Sequence, residues 1–207
     1  MENSLPSDSA GKRREAPTTP GTIKLRNLLK YGPLALAVVF LAVASKDWTN
    51  QTGALAIAHS RKVMPPINVS QINGGRWNLA DHRGEVVLIN FWATWCPPCR
   101  QETPGLVQLS NNYRAKGVAI LGISLDEGGT EAIQAFVHEF HLPYPVGLVG
   151  PESPWASAVE SLPTTILVDR DGRVAKTYMG AVRESVFQAD IDRLLVEVRS
   201  PRSQKSS

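Results

Sequence analysis

Two residues in this chain have the type and spacing to exchange electrons. Cys96 and Cys99 are its only cysteines, set in Trp92-Ala93-Thr94-Trp95-Cys96-Pro97-Pro98-Cys99-Arg100. The segment follows an apolar run and opens a predicted helix. A thiolate at a helix N-terminus meets unpaired backbone N–H groups and the positive end of the dipole, so its pKa falls. Three-residue spacing on a helix brings the second sulfur alongside the first. Cys96, at the cap, would attack a substrate disulfide. Cys99, more buried, would attack the mixed disulfide and release the product.

Pro97 and Pro98 refine this expectation. Neither carries an N–H, so two of the usual early helix donors are missing. The Cys96 thiolate would rely on the N–H of Cys99, that of Arg100, the dipole and nearby charge. Fewer donors make a less stable thiolate and a weaker oxidant. The pattern therefore predicts a reducing couple, nearer about −270 mV than about −120 mV on the range that such pairs span. The competing use of C-x-x-C is half of a structural zinc site. Zinc needs four ligands; there is no second cysteine pair, and His59, His82, His138 and His141 are scattered. The residues predict no metal and no cofactor.

The elements that must position the pair can be read around it. Glu85 to Trp92 (EVVLINFW) is a nearly continuous apolar run, as in a strand covered on both faces. A helix follows to about Ala115, with Leu106, Leu109 and Tyr113 on one face. Gly117 to Leu125 reads as a second buried strand. Thr130 is placed to cap a helix carrying Ile133, Phe136, Val137 and Phe140. Thr164 to Asp169 and Val174 to Met179 are strands joined at Arg170-Asp171-Gly172. A last helix buries Phe187, Ile191, Leu194, Leu195 and Val198. Upstream, Ile72 to Leu79 is broken by Asn73-Gly74-Gly75, a hairpin signal. Helix–strand alternation followed by a hairpin implies an α/β fold with a mixed sheet flanked by helices and an N-terminal β-hairpin extension. Residues 141–163 carry Pro143, Pro145, Pro151 and Pro154 and read as largely irregular.

The chain has 207 residues, enough for one core-forming domain plus extensions. We divide it into a disordered basic segment (1–27), an apolar segment (28–48), a linker (49–63), a compact domain (64–198) and a disordered tail (199–207). Of its 22 basic and 19 acidic residues, six and three lie in residues 1–30, leaving 16 of each elsewhere. The basic pI of about 9.0 thus belongs to the tails, and no nucleic-acid surface is implied. The uncharged run from Tyr31 to Ser45 covers about 22 Å as a helix, short of a ~30 Å bilayer core. With Ala42-Val43-Ala44 this suits a cleaved signal peptide. A helix from Leu28 to Trp48 reaches about 31 Å, with Lys30 and Lys46 able to snorkel, and suits an uncleaved anchor. The anchor is the favoured reading and puts residues 49–207 outside the cytoplasm. A secreted or periplasmic product of cleavage is the alternative.

The run from Val86 to Cys99 closely resembles the TlpA/ResA-like branch of the thioredoxin superfamily, and the likeness extends over about residues 64–198. These are membrane-tethered bacterial thiol–disulfide oxidoreductases, several of which supply reductant for cytochrome c maturation. The resemblance implies a thioredoxin fold and a redox-active Cys96–Cys99 disulfide. Leu162-Pro163-Thr164-Thr165 matches the loop that holds a cis-proline beside the active site. Pro163 would be that proline, exposing the backbone of Leu162 for pairing with a client. Trp95, Pro97 and Pro98 would share this docking surface, while Trp92 reads as core. Pro104 matches the proline that kinks the active-site helix. Glu102 matches an acid that follows the cysteines, a candidate proton relay to Cys99; a solvated first-turn glutamate is the equal alternative. Asn90 departs from the wider pattern, standing where thioredoxins carry a buried acid, so that role is vacant or passes to Glu102.

The expected activity is reduction of disulfides in exported client proteins. The alternatives are a disulfide-forming oxidase, a thiol peroxidase, or a thioredoxin-fold binding module without turnover. The C-x-x-C at the helix start weighs against the peroxidase, and the intact Leu-Pro-Thr-Thr against the binding module. With no other cysteine, the chain cannot carry electrons across a membrane, so a reductase would need an integral-membrane dithiol donor.

Overall fold

The computed structural model describes residues 53–150 and 152–198. The disordered segment, the anchor or signal peptide and the tail expected from the sequence lie outside those residues. Among the described residues, no helix is long and apolar enough to cross a membrane.

Seven strands form one sheet in the order β2-β1-β5-β4-β3-β6-β7. They are β1 Asn68–Gln71, β2 Arg76–Asn78, β3 Val86–Trp92, β4 Val118–Ser124, β5 Val146–Leu148, β6 Thr164–Val168 and β7 Val174–Met179. The helices are α1 Pro97–Tyr113, α2 Glu131–Phe140, α3 Pro154–Ala158 and α4 Glu184–Val196. Strands β3, β4 and β5 run parallel, while β6 is antiparallel to β3 and forms a hairpin with β7. The β1–β2 hairpin joins the same sheet by antiparallel pairing of β1 with β5.

Every residue of β3 is buried, because the strand is central and covered on both faces. Its side chains alternate between two cores. Val86 and Leu88 meet Leu106 and Leu109 of α1 and Phe187, Ile191 and Leu194 of α4. Val87, Ile89 and Phe91 meet Ile67, Val69 and Trp77 from the N-terminal hairpin region. Trp92, at the C-terminal end of β3, packs on Phe136 of α2 and beside both cysteines. The parallel strands therefore deliver their C-terminal ends, and the loops that follow, to one edge of the domain.

Four local readings change. Val198, expected to be buried by the last helix, lies beyond its end at Val196 and is exposed. Thr130 stands at the N-cap of α2 but in helical conformation, and its hydroxyl makes no capping bond. The 141–163 segment contains β5 and α3. Segment 53–63, expected as linker, packs along β7. The Ala56 N–H donates to the Ala175 carbonyl, Val63 bridges Arg173, and Arg61 is buried.

Candidate active site

The site is built where β3 ends. The Cys96 N–H bonds back to the Ala93 carbonyl at 3.2 Å, closing a turn with Thr94 and Trp95 at its corners. Cys96 is the N-cap of α1, in extended conformation, with Pro97 and Pro98 as the first helical residues. Proline fits there because its fixed φ suits the first turn and its missing N–H is one that the helix leaves unpaired. The Cys99 N–H reaches the Cys96 sulfur at 3.3 Å. The Arg100 N–H goes instead to the Cys96 carbonyl at 3.2 Å. Of the two donors expected for the sulfur, one reaches it.

Cys96 and Cys99 form a disulfide, with their Cα atoms 5.3 Å apart. Both are nearly buried, whereas Trp95 is 69% exposed. The Leu162–Pro163 peptide is cis. Leu162 packs against the cluster that holds both cysteines, so the loop lies beside the pair. The Gly180 N–H donates to the Pro163 carbonyl at 2.8 Å, which brings the end of β7 and the half-exposed Met179 to the same loop.

Glu102 lies one turn beyond Cys99 on α1 and is 4% exposed. Its Oε1 accepts the Val182 N–H at 2.8 Å, and its Oε2 accepts the Asn90 amide at 3.0 Å. The same amide nitrogen donates to the Thr165 hydroxyl at 2.8 Å. Burial pushes the Glu102 carboxyl up to about 7, against the opposing pull of its two donors. Tyr144 is pushed up as well, by burial and then by the Glu102 charge. A groove of about 360 Å³ runs between α1 and the start of α4, with Glu102, Gly105, Val182 and Arg183 among its walls. Pro104 sits inside α1. Among the described residues no group of three or more His, Cys, Asp or Glu is placed to hold a metal ion.

A disulfide-bonded C-x-x-C pair at a helix cap, with a cis-proline loop packed beside it, is an arrangement for thiol–disulfide exchange. The redoxin family model matches residues 60–195. The chain belongs to the redoxin family. A thiol-disulfide oxidoreductase ResA of Bacillus cereus is 37% identical over 121 residues, 58% of this redoxin and 69% of its relative. The ResA of Geobacillus thermodenitrificans is 32% identical over 157 residues, 75% and 87% of the two chains. Among solved structures, a putative thiol:disulfide interchange protein DsbE from Chlorobium tepidum has a TM-score of 0.60 at 29% identity, covering 65% of this redoxin and 96% of that chain. A secreted thiol-disulfide isomerase from Corynebacterium glutamicum has a TM-score of 0.63 at 27% identity, covering 69% and 91%. This redoxin has the thioredoxin fold and is a thiol–disulfide oxidoreductase.

Proposed function

We propose that this redoxin reduces disulfides in exported client proteins on the outer side of the cell membrane, held there by residues 28–48. The observation that carries the reducing direction is the single backbone donor on the Cys96 sulfur, with prolines occupying the first two helical positions. In the reduced enzyme, the Cys96 thiolate attacks one sulfur of a client disulfide. An S–S bond forms between Cys96 and the client, and the client's other sulfur leaves as a thiolate. Ionised Glu102 takes the proton of the Cys99 thiol. The Cys99 sulfur then attacks Cys96, the Cys96–Cys99 disulfide forms, and the second client sulfur leaves and is protonated. Two electrons pass from the Cys96–Cys99 dithiol to the client, and the groove beside Glu102 gives the proton a route to water.

Trp95, Pro97, Pro98, Leu162 and cis-Pro163 form the surface on which a client docks. An integral-membrane dithiol donor restores the reduced pair. The resemblance to ResA-like proteins favours the haem-binding cysteines of c-type cytochromes as one client class. The test is reduction of insulin disulfides, with a redox titration of the Cys96–Cys99 couple. Dithiol-dependent reduction that is lost in Cys96→Ser and stalls at a mixed disulfide in Cys99→Ser is expected. A potential near about −120 mV would instead make the protein an oxidant.

A further inference from the structure

Asp126, in the loop after β4, holds the segment that leads to Cys96. The parallel β3–β4 ladder continues one rung past the strands, with the Leu125 N–H donating to the Trp92 carbonyl at 2.8 Å. In a regular parallel ladder the next rung would run from the Thr94 N–H to the Leu125 carbonyl. Here the Thr94 N–H goes to the Asp126 carboxylate, at 3.1 and 3.0 Å from its two oxygens. The Thr94 hydroxyl donates to Oδ1 at 2.6 Å and the Ser124 hydroxyl to Oδ2 at 2.8 Å. Ser124 in turn accepts the Asp126 N–H at 3.1 Å. The side chain thus replaces a backbone rung and ties down a corner of the Ala93–Cys96 turn. The next corner is the exposed Trp95, and the turn ends on the Cys96 sulfur's own residue. The loop on the other side, Glu127-Gly128-Gly129, has little of its own to hold that turn: Gly128 and Gly129 are exposed and bring no side chain.

We propose that Asp126 is a positioning residue for Cys96, its carboxylate fixing the Thr94–Trp95 corner so that the client-docking tryptophan and the attacking sulfur keep one relative geometry. This rests on the proposed exchange with protein clients. It predicts that Asp126 acts on the encounter with a folded client more than on the intrinsic reactivity of the thiol.

The test compares wild type, Asp126→Asn, Asp126→Ala and Thr94→Val, with insulin and with a small aromatic disulfide as substrates. Asparagine keeps an oxygen for the Thr94 donors and turns its NH2 to the Ser124 hydroxyl, so it retains the clamp without the charge. Alanine should lower kcat/KM for insulin about tenfold, the scale of a charge-assisted hydrogen-bond constraint, with most of the change in KM. Its rate with the small disulfide should stay within about twofold. Asparagine should recover most of the insulin activity, and Thr94→Val, which loses one bond of the clamp, should fall between. Equal losses in asparagine and alanine would mean that the charge acts and not the clamp, overturning the proposal. So would alanine indistinguishable from wild type, or an equal loss with both substrates. If alanine fails to fold, the asparagine and Thr94→Val pair decides on the same terms. A wild-type protein that reduces no protein disulfide would remove the exchange reading itself, and this one with it.

Discussion

The Asn90 side-chain amide donates to the Glu102 carboxylate across 3.0 Å, from the central strand to the active-site helix. An acid at position 90 would share a proton with Glu102. An amide cannot ionise and has only donors to offer from its nitrogen, so it favours the charged form of its neighbour. Of this pair only Glu102 can titrate, and its value is a balance of burial against two hydrogen bonds. The Thr165 hydroxyl on the same nitrogen links that balance to the strand that follows Pro163.

The first consequence is for stability. Glu102 titrates near 7 in the folded protein and near the ordinary carboxyl value when unfolded. The folded state therefore holds its proton more firmly. Stability is fully present below about pH 4.5, falls as pH rises and is lowest above about pH 7, by about 3 kcal/mol. Glu102→Gln should remove this fall. Urea denaturation of the oxidised protein between pH 4 and 8 reads the difference between the two profiles, and parallel profiles would contradict it.

Asn90→Asp should raise the Glu102 titration further. Two carboxyls about 3 Å apart do not both ionise readily, so the pair keeps one proton to higher pH and titrates as a unit. If Glu102 accepts the Cys99 proton, the corresponding limb of the pH–rate profile for insulin reduction moves up by about one unit or more. A limb that stays in place would take Glu102 out of proton transfer.

What the sequence discloses and what it withholds follow from the range of each interaction. The Cys96–Cys99 pair, the Val86–Trp92 strand and the Asn73–Gly75 hairpin rest on neighbours in the chain, so spacing and periodicity reveal them. Strand β5 has three residues among prolines, too few for any period to register. Asp126 reaches Thr94 across 32 positions and Arg61 reaches Asp169 across 108. Such partners become neighbours only when the sheet closes. Asp126 leaves one trace in the sequence, its place just beyond the C-terminal end of a parallel strand, where α/β folds gather their sites. The Val182 N–H on Glu102 leaves no mark in residue type at all.

Arg61 tests the packing of segment 53–63. Its guanidinium donates to Asp169 at 3.1 Å, to Glu197 at 2.6 and 2.8 Å, and to the Ala56 carbonyl at 2.9 Å. Arg61→Ala would leave the largely buried Asp169 with only backbone donors. A loss of about 3 kcal/mol is expected, with proteolysis opening first in residues 53–63. Cleavage there at the wild-type rate would show that the segment is held by other contacts.

Gly122 is required by the tryptophan beside the cysteines. A Cβ at this position would lie 2.9 Å from the Trp92 indole nitrogen and 3.4 Å from the Tyr144 ring. Trp92 cannot swing away, since its other side meets Phe136 at a centroid distance of 4.3 Å. Gly122→Ala should cost about 1–3 kcal/mol, read by thermal unfolding.

The reducing direction is tested most directly by giving Cys96 back a donor. An N-cap group accepts from the second or third helical N–H. Cys99 supplies the third, at 3.3 Å, and Pro98 withholds the second. Pro98→Ala restores that N–H in a helix whose first position is still preorganised by Pro97. The added bond stabilises the thiolate, and hence the reduced pair, more than the disulfide. The Cys96 pKa should fall by about one unit, and the potential should become more oxidising by up to about 30 mV. Thiolate absorbance against pH gives the first quantity and equilibration with glutathione the second. The variant should reduce insulin more slowly, because its dithiol gives up electrons less readily. A wild-type Cys96 already titrating near about 3.5 would show that the dipole and nearby charge outweigh the missing donors, and the paired prolines would no longer account for the poise.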